Sequence, residues 1–351
     1  MRALRWHAGG DMRLDDVPVP ELTRPDDVVI AVEACGICGT DVHEFTRGPQ
    51  MIRKTPHPLT GARPPITLGH EFSGRVVSVG PAVDDLAPGR LVTVDPCLRC
   101  RTCPSCLRGD YHICTRGGSI GLAGDGGFAD QVVVPRVNVL PVPDGVPALW
   151  AAVAEPLAVG LHAARRARIG AGDAVLITGG GPIGIAALLG AISLGAATIY
   201  VSEPSPARAQ RARELGATEA FDPRTTDVRR EVFLRSGRSG PDAAIEATGR
   251  PEAFELALTS VRRGGSVSVV GIGDGQLTVK LSQLVLYERE IAGALGYHHD
   301  IERVLRLMAG GRLDPTPFTT GIRPLTEAIP TFHELSAGPI DGLKILLAPK
   351  G

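Results

Sequence analysis

The pattern of apolar positions changes character at about Leu149. Before it, apolar residues come in short β-branched runs, Val28-Val29-Ile30-Ala31-Val32, Gly74-Arg75-Val76-Val77-Ser78-Val79 and Gln131-Val132-Val133-Val134. Pro, Gly and Asp clusters bound these runs, so they predict strands joined by turns. The stretch from Thr46 to Pro65 carries no such run, and an irregular loop of that length is usually functional. After Leu149, Ala- and Leu-rich helical patterns alternate with apolar strands. Ala174–Thr178, Thr198–Ser202, Ala243–Ala247 and Ser266–Val270 read as strands, with Pro206–Leu215 and Pro251–Val261 as helices between them. That alternation predicts βαβ units and a parallel sheet. From about Ile291 a helix (Ile301–Met308), a Pro-rich loop and a last strand (Leu343–Leu347) follow.

Ala174 to Ser202 contains no charged residue and is long enough to imitate a membrane span. Gly179-Gly180-Gly181-Pro182, Gly184, Gly190 and Gly195 punctuate it into strand, turn, helix and strand, so a buried parallel unit is expected instead. The 351 residues suffice for about two domains. A net charge of −1 and a pI near 6.8 argue against a nucleic-acid binder, which needs a basic surplus. The first residues lack an apolar signal core, so a cytoplasmic protein is expected.

The first candidate chemistry lies in the uncharged run. Gly179-Gly180-Gly181-Pro182-Ile183-Gly184 follows a strand and opens an Ala-rich helix, the context in which G-x-G-x-x-G cradles a dinucleotide pyrophosphate. Glu203 comes 19 residues after Gly184, at the end of the next strand. An acid there accepts from ribose hydroxyls and repels a 2′-phosphate, so NAD is expected over NADP. Arg208 lies near enough in sequence to weaken that repulsion.

The seven cysteines are clustered, which points to metal ligation rather than a disulfide frame. Cys100, Cys103, Cys106 and Cys114 offer four thiolates in one loop, the donor set of a closed structural zinc site. Cys97 is either a spare thiol or an alternative ligand. A zinc-ribbon nucleic-acid module would use the same spacing but needs a basic surface. Cys38, His70 and a carboxylate, Glu71 or Glu155, would hold a second zinc with one position open, as catalytic sites do. Cys35-Gly36-Ile37-Cys38 also matches a thiol oxidoreductase, but without the small βαβ context, which leaves Cys35 a buried hydrophobe.

Together, Cys38-Gly39-Thr40-Asp41 with His43, Gly69-His70-Glu71, the four-cysteine loop, Glu155-Pro156-Leu157 and the Gly-rich turn resemble the zinc-dependent medium-chain alcohol dehydrogenases along essentially the whole chain. Within that family, the loop with His57-Pro58-Leu59-Thr60-Gly61 and the segment Glu155 to Ala163 are most similar to (R,R)-2,3-butanediol dehydrogenases. The resemblance implies an α/β protein in which 1–152 and 291–351 form a GroES-like β-rich catalytic domain. It implies a Rossmann domain, a doubly wound parallel sheet, over 153–290. It also implies two zincs per chain, NAD, a small alcohol or ketone substrate, and a homodimer or homotetramer without nucleic-acid or membrane partners. Thr248 and Lys344 are expected at the cofactor beside Pro182 and Ile183, with Lys344 near its phosphates. The implied reaction moves a hydride from a secondary alcohol, such as a vicinal diol, to NAD, while the proton leaves through Thr40 and then His43. Polyol or L-threonine oxidation, and a vestigial site on a zinc-stapled nucleotide binder, are the competing expectations.

Overall fold

The computed structural model describes residues 1–338 and 342–349. The chain packs as two compact units. The first holds Met1–Glu155, Met308–Gly310 and the chain from Asp314 onward, and the second Pro156–Leu307 with Gly311–Leu313.

The first unit is organised around the strand Asp27–Gly36, longer at both ends than its β-branched run. Most of its residues are buried, with antiparallel partners Glu71–Val79, Gln131–Pro135 and Lys344–Ala348 along its edges and Val28, Ile30, Val32 and Cys35 in the core. Phe72, Phe128 and Phe332 fill the core beneath, the last two edge to face with ring centroids 6.0 Å apart. Each buried phenyl contributes roughly 1.5–3 kcal/mol. The register matters more than the packing here. Gly36 lies opposite Glu71 on one side and Leu346 on the other. A side chain at Gly36 would run into the Glu71 carboxylate and the Lys344 stem, so only glycine leaves room for both. The helix Gly39–Arg47 starts immediately afterwards. Cys38 holds extended angles, and its N–H donates to Asp41 Oδ2 at 2.9 Å, which satisfies an otherwise orphaned donor at the helix start.

The second unit carries the parallel strands β1 (Ala174–Thr178), β2 (Thr198–Ser202), β3 (Glu219–Phe221), β4 (Ala243–Glu246), β5 (Ser266–Val269) and β6 (Glu290–Gly293). Their spatial order is β3-β2-β1-β4-β5-β6, a doubly wound parallel sheet in which the order of strand addition reverses between β1 and β4. Val175, Leu176 and Ile177 of β1 are fully buried because helices cover both faces of a parallel sheet. The uncharged run is thus β1, the helix Pro182–Ser193 and β2. Among the described residues no helix is long and apolar enough to cross a membrane. Residues 291–307 pack with this unit, next to the boundary that the resemblance implies at 291. They begin within β6, an edge strand with exposed residues and no β-branched run to announce it.

Candidate functional site

Cys38, His70 and Glu71 converge from two elements. Cys38 caps the helix Gly39–Arg47, His70 immediately precedes the strand Glu71–Val79, and Glu71 opens it. One ligand atom from each lies within 4.8 Å of the others. His70 Nδ1 lies 3.4 Å from Asp41 Oδ1, a pairing that leaves Nε2 for a metal. Burial disfavours its protonation, but Asp41 and then Cys38 outweigh burial and hold the imidazole pKa well above its usual value. Asp41 Oδ1 and His70 Nδ1 are buried and face each other, and the buried Glu71 Oε2 faces Lys344 Nζ. A thiolate, an imidazole and a carboxylate around one point fit a zinc ion with an open position.

The sequence left Glu71 and Glu155 as equal candidates. The structure brings Glu71 into the three-residue group, and Glu155 stands outside it. Glu155 is 9% exposed, and burial first, then the Glu71 charge, pushes its carboxyl up to about 8. Lys344, the basic residue expected near the cofactor phosphates, is engaged here with Glu71. Its Nζ lies 2.7 Å from Glu71 Oε2 and donates to the Ile37 carbonyl at 3.1 Å, and the side chain is 3% exposed. Thr40 Oγ1 lies 3.7 Å from Cys38 Sγ, and His43, one helical turn on, is exposed. Sequence reasoning missed Asp41 as the carboxylate behind His70. Its signal was the acid three residues into a helix that starts at a ligand.

In the cysteine loop, the Sγ atoms of Cys100, Cys103, Cys106 and Cys114 all lie within 4.8 Å of one another. The N–H of Cys103 points at Cys100 Sγ (3.2 Å) and that of Cys106 at Cys103 Sγ (3.5 Å). Amide and hydroxyl donors from Thr102 draw Cys100 down to about 5, and the Cys106 amide draws Cys103 to about 7, while burial pushes Cys106 up to about 12. Four sulfurs at this spacing fit a tetrahedral zinc with no open position. Cys97 lies outside the group in a short strand, its N–H donating to Asp95 Oδ1 at 3.0 Å. Cys35 is wholly buried in the core, where burial raises its thiol well above the usual range.

The Gly-rich turn joins the carboxyl end of β1 to the helix Pro182–Ser193, with Gly181 at the N-cap and Pro182 at the first helical position. Gly179 has φ +101°, and a side chain there would press on Thr248 Cγ2. At Gly184 it would strike the Gly179 carbonyl, but at Gly181 it would meet nothing nearer than Arg208 Nη1 at 3.9 Å. Two glycines therefore serve packing, and the third leaves space in front of the helix start, where Ile183 follows half-buried. Glu203 is 5% exposed just past β2. Its two oxygens accept from Gly180 N–H (2.7 Å) and Ser205 N–H (2.8 Å). Thr248 N–H donates to Glu246 Oε1 at 2.7 Å, so the buried Glu246, not singled out in the sequence, shapes the loop after β4.

Residues 24–144 match the model of the alcohol dehydrogenase GroES-like domain, and residues 182–310 that of the zinc-binding dehydrogenase. The (R,R)-butanediol dehydrogenase of Neisseria gonorrhoeae is 35% identical over 99% of this chain and 99% of its own. That of Bacillus subtilis is 38% identical over 89% of each. The crystal structure of 2R,3R-butanediol dehydrogenase from Bacillus subtilis matches with a TM-score of 0.94 at 36% identity, over 99% of both chains. With a thiolate–imidazole–carboxylate group in one unit and a glycine turn on a doubly wound sheet in the other, the chain belongs to the zinc-dependent alcohol dehydrogenases.

Proposed function

We propose that the enzyme transfers a hydride between NAD and the secondary alcohol of a vicinal diol such as 2,3-butanediol, and in reverse reduces acetoin or diacetyl. The convergence of Cys38, His70 and Glu71 carries the alcohol chemistry. The similarity over the whole chain to butanediol dehydrogenases supports the diol. Zinc held by Cys38, His70 and Glu71, with Glu155 as a second carboxylate beside them, supplies Lewis acidity toward an alcohol oxygen. Asp41 orients His70, and Lys344 balances Glu71. Thr40 accepts the hydroxyl proton and His43 hands it to solvent. Gly181 and the helix start after it receive the pyrophosphate, flanked by Pro182, Ile183, Arg208 and Thr248. Glu203 meets the adenosine ribose and disfavours a 2′-phosphate, which selects NAD over NADP. A second zinc on Cys100, Cys103, Cys106 and Cys114 staples their loop.

The working form is a homo-oligomer. The outer edge of β6 is unpaired among the described residues, and Ile272, Leu281, Val285 and Leu286 of the same unit are 70–87% exposed, which suits a second copy. The thiolate loop suits a reducing compartment such as the cytoplasm.

Initial rates with NAD and NADP on (R,R)-, (S,S)- and meso-2,3-butanediol, sorbitol and L-threonine, with and without a chelator, test this reading. Chelator-sensitive oxidation of a butanediol with NAD is the expected result. Turnover confined to sorbitol or threonine overturns the diol assignment, and one bound zinc with no turnover indicates a vestigial site.

A further inference from the structure

The second unit contains a pocket of about 850 Å³ that the dehydrogenase chemistry does not use. Its lining is strongly one-signed, with six arginines, Arg229, Arg230, Arg238, Arg262, Arg263 and Arg289, against a single carboxylate, Asp227. Asp227 is already occupied as the cap of the helix Val228–Arg235, accepting the Arg230 amide at 3.0 Å. The chain as a whole has a net charge of −1, so this concentration is local.

The pocket is distinct from the cofactor turn. Arg238 and Ser239 precede β4, Arg262 and Arg263 precede β5, and Tyr287 and Arg289 precede β6. In a parallel sheet these positions share the amino edge. Gly179–Gly184 and Glu203 follow β1 and β2 and so lie at the carboxyl edge, where such folds bind dinucleotides.

Two of the arginines build the floor. Arg289 donates to the carbonyls of Thr259 and Val261, and Arg262 pairs with Asp242 at 2.7 Å. The guanidinium carbons of Arg263 and Arg289 lie 4.7 and 4.8 Å from the centre of the same Tyr287 ring, which holds two cations side by side. Among the described residues, Arg229, Arg230, Arg238 and Arg263 form no ion pair with any carboxylate. Burial, and then repulsion from Arg229, lowers the affinity of Arg289 for its proton. A cluster in which most of the cations lack a paired carboxylate is relieved by an anion that bridges several of them, and guanidinium forks match phosphate oxygens two at a time.

We infer that this arginine-lined pocket at the amino edge of the parallel sheet binds a small molecule bearing two or more phosphate groups. Its volume falls in the range of small-molecule sites, roughly 300–1,000 Å³.

Titration calorimetry of the zinc-loaded protein with inorganic pyrophosphate, at fixed ionic strength, tests the site. The wild type is expected to bind one pyrophosphate per chain at this pocket. Arg229→Gln with Arg263→Gln should weaken that event at least about tenfold, the scale of one lost charge-assisted pair. Among the described residues these two side chains form no hydrogen bond or ion pair, and Arg289 still covers the Tyr287 ring without Arg263, so the variant should fold and its dehydrogenase rates should match the wild type. Arg230→Gln alone, expected to weaken binding less, serves as the second variant. Pyrophosphate bound at the glycine turn or at a metal would not respond to these substitutions, so the site stands or falls apart from the dehydrogenase reading. Binding unchanged in both variants, absent binding, or equal affinity for sulfate would overturn the proposal.

Discussion

Lys344 Nζ sits 2.7 Å from Glu71 Oε2, although 273 residues separate them and both side chains are almost wholly buried. A buried pair is held at a large desolvation cost, so breaking it exposes that cost at once. Lys344→Met should leave Glu71 uncompensated and lower unfolding free energy by about 3–5 kcal/mol in the metal-free protein. Lys344→Met with Glu71→Gln should recover part of the loss, as urea melts of both variants will show. Equal losses in the single and double variants would mean that the pair is not the source.

His43 lies exposed one turn beyond Thr40 and ends the proposed path for the proton. His43→Gln should reduce kcat for alcohol oxidation more at pH 7 than at pH 9, where hydroxide can take the proton directly. Equal reduction at both pH values removes His43 from the path.

Gly181 and Gly184 separate binding from folding. Gly181→Ala adds a methyl that meets open space, so thermal stability should hardly change, while the KM for NAD rises about tenfold, or 1.4 kcal/mol. Gly184→Ala drives a methyl into the Gly179 carbonyl and should destabilise the unit itself. A Gly181→Ala protein with unchanged KM would show that the pyrophosphate lies elsewhere.

Asp300 is fully buried and accepts from His162 at 2.9 Å, Arg165 at 2.6 Å and Arg303 at 3.0 Å. Burial alone would raise its carboxyl, but His162, the His298 amide and Arg165 outweigh burial and hold it far below the usual range. A carboxyl depressed in the fold stabilises above its unfolded pKa, about 3.9, and that stabilisation drains as pH falls toward the folded value. Asp300→Asn should therefore cost roughly 3 kcal/mol at pH 7, with the gap from wild type narrowing below about pH 4. A gap that stays constant down to pH 2 would contradict this assignment.

Cys106→Ser should reduce bound zinc by one per chain while Cys38→Ser removes the other, since the two groups share no residue. Metal analysis of the purified variants decides it. Loss of both ions from either variant would mean that the sites are not independent.

The motifs that sequence disclosed are those whose partners are close in the chain. The four cysteines span one loop, and the strand, turn and helix around Gly181 are contiguous, so spacing alone carries their geometry. What stayed hidden depends on register. Nothing local in Lys344 announces that pairing Leu346 with Gly36 sets it beside Glu71. The choice between Glu71 and Glu155 was equally closed, because both are acids in apolar surroundings, and their different elements, a strand start and a helix start, do not say which reaches Cys38 and His70. The strands Glu219–Phe221 and Glu290–Gly293 escaped detection because they are short and lie at the two edges of their sheet, where pairing, not side-chain pattern, makes a strand.

The space kept open by Gly36 has a consequence for the order of assembly. Glu71 precedes Lys344 by 273 residues, so its counter-charge is synthesised long after it. The strand Lys344–Ala348 is the clasp that closes around it, and the pocket reaches its final charge state only after that strand has been added. A chain interrupted shortly before residue 344 would retain every proposed ligand of the catalytic metal and still lack a settled place to hold it.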